Sequence, residues 1–185
     1  HWAAAYAPGD IEPPIPVGDD LHPLHRALLH HPEAAAPTGA AEMAELRAQY
    51  FGMCSEVDDQ LGRLWDALRE RDQWNDTIIV VTSDHGEQLG DQGLIQKAGF
   101  FEASYRILGI VRDPRRTGGA GTVVDHFTEN VDIFPTICNL LDEPIPQQCD
   151  GHPLTPFLDG ARPANWRAAA HWEWDWRDAL PDNDD

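Results

Sequence analysis

Every residue of the run Thr77-Ile78-Ile79-Val80-Val81-Thr82 is β-branched, and the run shows no alternation of apolar and polar positions. Alternation marks a strand with one wet face; its absence predicts a strand covered on both faces, as in a parallel sheet. Such a strand needs helices to cover it, and the preceding sequence supplies one. Met43, Leu46, Tyr50, Met53, Val57, Leu61, Leu64 and Leu68 follow one another at spacings of three or four residues from about Ala40 onward. This spacing predicts a long amphipathic helix. Thr38 or Gly39 stands at its start, and Arg69 and Arg71 suit its C-terminal end. A helix followed by a buried strand is half of a βαβ unit.

Around this pair the pattern is weaker. The first forty residues, with Tyr6-Ala7-Pro8-Gly9-Asp10 and Pro13-Pro14-Ile15-Pro16, read as extended loop. Further strands are expected at Ile107 to Val111 and at Thr122 to Val124. A short helix is expected from Val131 to Leu141, capped by Asn130 or Asp132 and stopped by Glu143-Pro144. In the tail, His171-Trp172-Glu173-Trp174-Asp175-Trp176 alternates large apolar and polar residues, which suggests an edge strand or packing ribbon. The division that results is a loop-rich segment over 1–40, an α/β core over 41–145 and a C-terminal subdomain segment with tail over 146–185.

Composition excludes some partners. The chain has 13 basic and 32 acidic residues, a net charge of −19. Nucleic acid and anionic membrane surfaces are poor partners for such a chain, because both need clustered Lys and Arg. No apolar run is long enough to span a bilayer. The start, His1-Trp2-Ala3, has neither Met nor a signal-peptide pattern, so the chain reads as part of a longer protein. Cys54, Cys138 and Cys149 are odd in number and widely spaced, which predicts no disulfide framework and a cytoplasmic setting.

The chemistry concentrates directly after the apolar run, in Ser83-Asp84-His85-Gly86-Glu87-Gln88-Leu89-Gly90-Asp91. In open α/β sheets, ligands sit beyond the carboxyl ends of the strands. Asp84 and His85 fall there, and Gly86 permits the turn that would bring both side chains to one metal. An oxygen and an imidazole donor suit Mn, Zn or Fe better than Ca. Residue chemistry alone favours a plainer reading, with Asp84 as a helix cap and His85 as a loop histidine. Lys97 is a solvated loop lysine unless its segment folds back over the site, where its ammonium would bind an anionic oxygen. Glu102 and Arg106, four apart, suit a structural ion pair.

The nine residues from Ser83, followed by Lys97, Glu102, Ser104 and Arg106, resemble the C-terminal signature of sulfatases, and most of all the phosphonate monoester hydrolase branch of the alkaline phosphatase superfamily. Three other stretches resemble family elements: Glu56-Val57-Asp58-Asp59-Gln60-Leu61-Gly62-Arg63-Leu64, Asn130-Val131-Asp132-Ile133-Phe134-Pro135-Thr136-Ile137, and Asp150-Gly151-His152-Pro153-Leu154. The resemblance implies an alkaline-phosphatase-like three-layer α/β/α fold, present in part, with a small C-terminal antiparallel sheet. It implies metal ligation by Asp84 and His85, and a substrate-binding role for Lys97 as the catalytic residue. His85, where calcium-dependent sulfatases commonly carry Asn, points to the phosphonate and phosphate ester branch.

The resemblance further implies a hydrolase of sulfate esters or of phosphonate and phosphate mono- and diesters, acting on a small anionic ester substrate. A homo-oligomer is compatible with it. The family's nucleophile, often formylglycine, belongs to a Cys- or Ser-x-Pro-x-Arg motif that is absent here and is expected upstream. Gln92 and Leu108 also depart from common family residues. Two alternatives stay open. One is a truncated, non-catalytic relative acting as an assembly module through its tryptophan ribbon; the other is a phosphotransferase or mutase of the same superfamily.

Overall fold

The computed structural model describes residues 2–173. They form two compact units, each built from separated stretches of chain: unit 1 from residues 2–71 and 85–108, unit 2 from residues 72–84 and 109–173.

In unit 1 the first forty residues are largely irregular, but they contain one short helix, α1 (Pro23–Leu28). Its start follows from local chemistry. Pro23 has no N–H to leave unpaired, and His22 Nδ1 accepts the Leu24 N–H at 3.2 Å. The long helix expected from about Ala40 is α2 (Ala40–Glu70), entered through Gly39 and with Arg69 in its last turn. The 3-10 turns Trp2–Ala4 and Pro8–Asp10 pack against it. Only part of its apolar stripe is covered. Met43, Ala48 and Gly52 are buried, whereas Met53, Val57 and Leu64 are 54%, 59% and 51% exposed. The core of this unit is Leu28, Ala34, Leu94 and Ala98, with Leu24, Leu29 and Phe101 packed around it. A one-turn helix, α3 (Glu102–Tyr105), carries the expected Glu102–Arg106 pair at 3.8 Å, with both side chains in water.

Unit 2 holds the sheet. Strand β1 (Ile79–Thr82) pairs with β2 (Gly109–Arg112) in the register Ile79 to Arg112 and Thr82 to Gly109. The pairing is antiparallel, not parallel as the unbroken β-branched run suggested. Nor is the run covered on both faces: Ile79 is buried, Thr82 exposed, and Ile110, opposite Val81, is 56% exposed. Among the described residues the sheet consists of these two strands, and a β-branched run carries no mark of its partner's direction. Strand β2 begins two residues later than expected, because Arg106 and Ile107 close α3 with bonds to Glu102 O and Tyr105 O. The strand expected at Thr122 to Val124 does not form. Both the N–H and the hydroxyl of Thr122 bond Gly119 O, which makes a turn there and leaves Val123 80% exposed.

Helix α4 (Ile133–Leu140) follows the 3-10 turn Asn130–Asp132. Asp132 is the N-cap residue of α4, as expected, but its side chain makes no cap bond to that helix; it forms a reciprocal capping box with Glu129, which caps the 3-10 turn. Helix α5 (Thr155–Leu158) packs on α4. Among described residues 146–173 it is the regular element, and no strand is present there. His171, Trp172 and Glu173 are exposed, and the rest of the tryptophan cluster, with the final acidic residues, lies outside the described residues. Among the described residues no helix is long and apolar enough to cross a membrane.

The two motifs of unit 2 that carried the family resemblance hold each other in place. Asp132, fully buried, accepts hydrogen bonds from both terminal nitrogens of Arg167 at 2.6 Å, from Glu129 N at 2.9 Å and from His152 N at 2.8 Å. Thr136 Oγ1 accepts the Leu154 N–H at 2.8 Å. A Cβ on Gly151 would overlap Val131 O, so only glycine lets the two segments approach this closely.

Candidate metal centre

Asp84 and His85 lie just beyond Thr82, the last residue of β1. Asp84 is the last residue of a unit 2 stretch and is exposed; His85 opens a unit 1 stretch and is half-buried.

On the unit 2 side, the ladder stops at Thr82. The amide of Asn130 takes over there. Its Nδ2 donates to Ser83 O at 3.0 Å and to Asp84 O at 3.3 Å, while its Oδ1 accepts from Thr82 Oγ1 at 3.4 Å. Ser83 Oγ lies 3.4 Å from Asp84 Oδ1, at the long limit of a hydrogen bond. Asn130 is the residue that local spacing could not find for this site: it is 46 positions from Asp84, and in sequence it reads as a helix cap and as the start of a family-like stretch.

On the unit 1 side, His85 Nδ1 lies 2.7 Å from Gly86 O. A carbonyl can only accept, so Nδ1 is the donor in this contact, and in the neutral ring that leaves the lone pair on Nε2. Gly86 serves this region by contact rather than by turn chemistry. Its N–H bonds Ser104 O at 2.8 Å, and a Cβ there would overlap Ala103 O. The chain then folds back on itself. Gln88 N donates to Gln96 O at 2.7 Å, and Glu87 Oε1 accepts from Leu89 N at 3.0 Å and Gln96 N at 2.5 Å. Buried Gln88 donates to Ser104 Oγ and Ala98 O. Lys97, half-buried, follows Gln96, so its backbone is tied to the residues just after His85.

Leu89, Gln92 and Gln96 all have φ between 50° and 58°, and Gly90, Gly93 and Gly99 also have positive φ. Left-handed side-chain-bearing residues are costly and persist where their surroundings impose them. The surroundings here are specific. Arg47 Nη1 donates to Leu89 O at 2.7 Å, Asp91 accepts Ile15 N at 2.9 Å, and His25 Nε2 meets Gln92 O at 2.8 Å.

A carboxylate and an imidazole whose Nδ1 is engaged by a carbonyl are each donor types that fit a divalent metal. Among the described residues, no three His, Cys, Asp or Glu side chains come together as a ligand set. The cysteines behave as packing or surface residues: Cys138 is buried in α4, and partial desolvation pushes the Cys54 thiol above its ordinary value, away from the reactive thiolate.

The chain has clear relatives. A family model described as Sulfatase matches residues 21–143. The chain is 40% identical over 162 residues to the multifunctional alkaline phosphatase superfamily protein PehA of Trinickia caryophylli, an alignment covering 87% of this chain and 32% of that protein. The phosphonate monoester hydrolase of Agrobacterium radiobacter superposes with a TM-score of 0.72 at 47% identity, over 75% of this chain and 28% of that one. The phosphonate monoester hydrolase SpPMH of Silicibacter pomeroyi superposes with a TM-score of 0.77 at 32% identity, over 90% of this chain and 35% of that one. The chain thus spans about a third of the length of these relatives. With the family model matching well over half of the chain and an alkaline-phosphatase-like fold shared with these structures, the chain belongs to the sulfatase family of the alkaline phosphatase superfamily.

Proposed function

We propose that this chain forms part of a metal-dependent hydrolase of sulfate esters or of phosphonate and phosphate mono- and diesters. In this reading Asp84 and His85 bind a divalent metal, and Lys97 binds an anionic ester oxygen. The observation that carries it is the Nδ1 contact of His85 with Gly86 O, which turns the imidazole into the tautomer a metal ligand needs, one residue after a carboxylate and just past a strand end. The mixed oxygen and nitrogen pair favours Mn, Zn or Fe over Ca. The fold-back of Gln96 onto Glu87 and Gln88 supports the role of Lys97, because it ties the lysine's segment to that of His85. The remaining ligands and the nucleophile, formylglycine in many family members, would come from outside this chain. When bound, the metal would polarise an ester oxygen and hold the nucleophile. The ammonium of Lys97 would offset charge that develops on the ester as the leaving group departs.

The test uses the complete protein. His85→Ala and Asp84→Asn should each lose bound metal, measured by elemental analysis. Lys97→Ala should keep its metal but lose about 100- to 1,000-fold in kcat on aryl sulfate, phosphonate monoester or phosphodiester substrates. Full metal content and full activity in His85→Ala would end this reading.

A further inference from the structure

We infer that Asn130 is a positioning residue for Asp84: its side-chain amide fixes the backbone that carries the proposed ligand. The inference rests on the metal-binding role of Asp84 proposed above. Where β1 ends, ladder pairing ends with it, and the chain leaving the sheet must find other donors for its carbonyls. Asn130 supplies them. One amide nitrogen reaches two consecutive carbonyls, Ser83 O at 3.0 Å and Asp84 O at 3.3 Å, and the amide oxygen meets the hydroxyl of Thr82 at 3.4 Å. The side chain therefore touches all three residues of the strand exit.

A clamp positions only if it is itself held. Asn130 opens the 3-10 turn Asn130–Asp132, and the far end of that turn is a fully buried carboxylate held by four hydrogen bonds. Buried Asp132 is gripped by Arg167, Glu129 N and His152 N, and Thr136 Oγ1 donates to its carbonyl at 2.6 Å. All of these residues lie within unit 2, in one chain of contacts from Arg167 through Asp132 and Asn130 to Asp84. The residue type matters as much as the place. Two carbonyls require a donor, which a carboxamide supplies, whereas a carboxylate would set negative oxygen against both; the Thr82 hydroxyl, 3.4 Å from both the amide oxygen and Ser83 O, adds only a weak contact. Outer partners that orient metal ligands typically change metal affinity by about 10- to 100-fold when removed.

The experiment is titration of Mn²⁺ into the metal-free complete protein by calorimetry, for wild type, Asn130→Ala, Asp84→Asn and the double variant. Asn130→Ala should weaken Mn²⁺ binding by about tenfold or more, with little change in the unfolding temperature because the side chain is exposed. In the Asp84→Asn background the same substitution should have no further effect. If Asp84→Asn alone leaves the affinity unchanged, the metal-binding reading fails and this inference with it. If Asp84→Asn weakens binding but Asn130→Ala stays within about twofold of wild type, only the positioning role is overturned. An equal loss from Asn130→Ala with and without Asp84 overturns it too. Should Asn130→Ala not fold, the isosteric Asn130→Asp, which removes the donor, decides by the same thresholds.

Discussion

The 86–104 segment of unit 1 and the 129–154 segment of unit 2 both add dense polar contacts to their apolar packing, yet by different means. The first is a problem of backbone conformation. Leu89, Gln92 and Gln96 sit at positive φ, Gly86 sits where no Cβ fits, and the cross-links run mostly through main-chain atoms and the Gln88 amide. The second is a problem of charge. Asp132 is fully buried in the grip of a guanidinium, and elsewhere in unit 2 Asp113 is nearly as buried against Arg115 and Arg116. Strain at positive φ is insensitive to salt and pH, whereas a buried carboxylate depends on its counter-charge. The two segments should therefore fail under different perturbations.

The largest expected effect lies in unit 2. Arg167→Ala removes both guanidinium bonds to Asp132 and the 2.9 Å contact with Glu129. Removing one partner of a buried ion pair costs about 3–5 kcal/mol. Denaturant titration of the complete protein should show a loss of that size, and hydrogen exchange should speed up in α4. Arg167→Lys should recover only part of it, because an ammonium cannot bond both carboxylate oxygens in one plane. A loss below about 1 kcal/mol would show that this network is incidental, as exposed ion pairs usually are.

Gly86→Ala probes the other region. The new methyl group would overlap Ala103 O, so either the Gly86 to Ser104 bond opens or the segment shifts. Overpacking of this kind costs about 1–3 kcal/mol. The loss should be the same at low and high salt, and exchange should rise at the amides of Gly86, Gln88 and Gln96. A strongly salt-dependent loss would remove the distinction between the two segments.

How much of this was legible in sequence varies with the range of the interaction. Helix α2 was legible because its signal repeats along its own length; Met43 to Leu68 needs no distant partner to be recognised. Its burial was not, since periodicity says which face is apolar but not what covers Val57 and Leu64. Strand β1 was legible as a strand, but its partner and direction were not, because a β-branched run has no marker of register. The Asp84–His85 pair was weak by chemistry alone and became a candidate through its place after β1 and through matching motifs elsewhere in the chain. Gly86 stands out in sequence as a residue that permits a turn, whereas the structure shows a close approach to the Ala103 carbonyl, 17 residues on. Asn130 and Asp132 read as caps, and their contacts with Ser83, Asp84 and Arg167 depend on tertiary folding that no local pattern encodes.

The smallest expected effect separates charge from conformation most cleanly. The Arg115 side chain, hydrogen-bonded to Asp113 through three contacts of 2.9–3.2 Å, holds the Asp113 carboxyl below the usual carboxylate range; burial pushes it the other way, and the Arg115 N–H and the charges of Arg115 and Arg116 add to the lowering. A carboxyl with a depressed native value binds its proton less readily in the folded protein than in the unfolded chain. Its contribution is thus fully present above the unfolded value of about 3.9 and is lost as pH falls through the lower native value. Asp113→Asn cannot titrate. The gap in denaturant midpoint between wild type and Asp113→Asn should therefore hold steady from neutral pH down to about pH 5, then close on further acidification. Gly86→Ala, measured in parallel, should keep a constant gap across the same range, because no titrating group enters its clash. If the Asp113 gap stays open in acid, unit 2 is held at that point by shape and hydrogen-bond number instead of ionisation, and the contrast between the two units narrows to Asp132 alone.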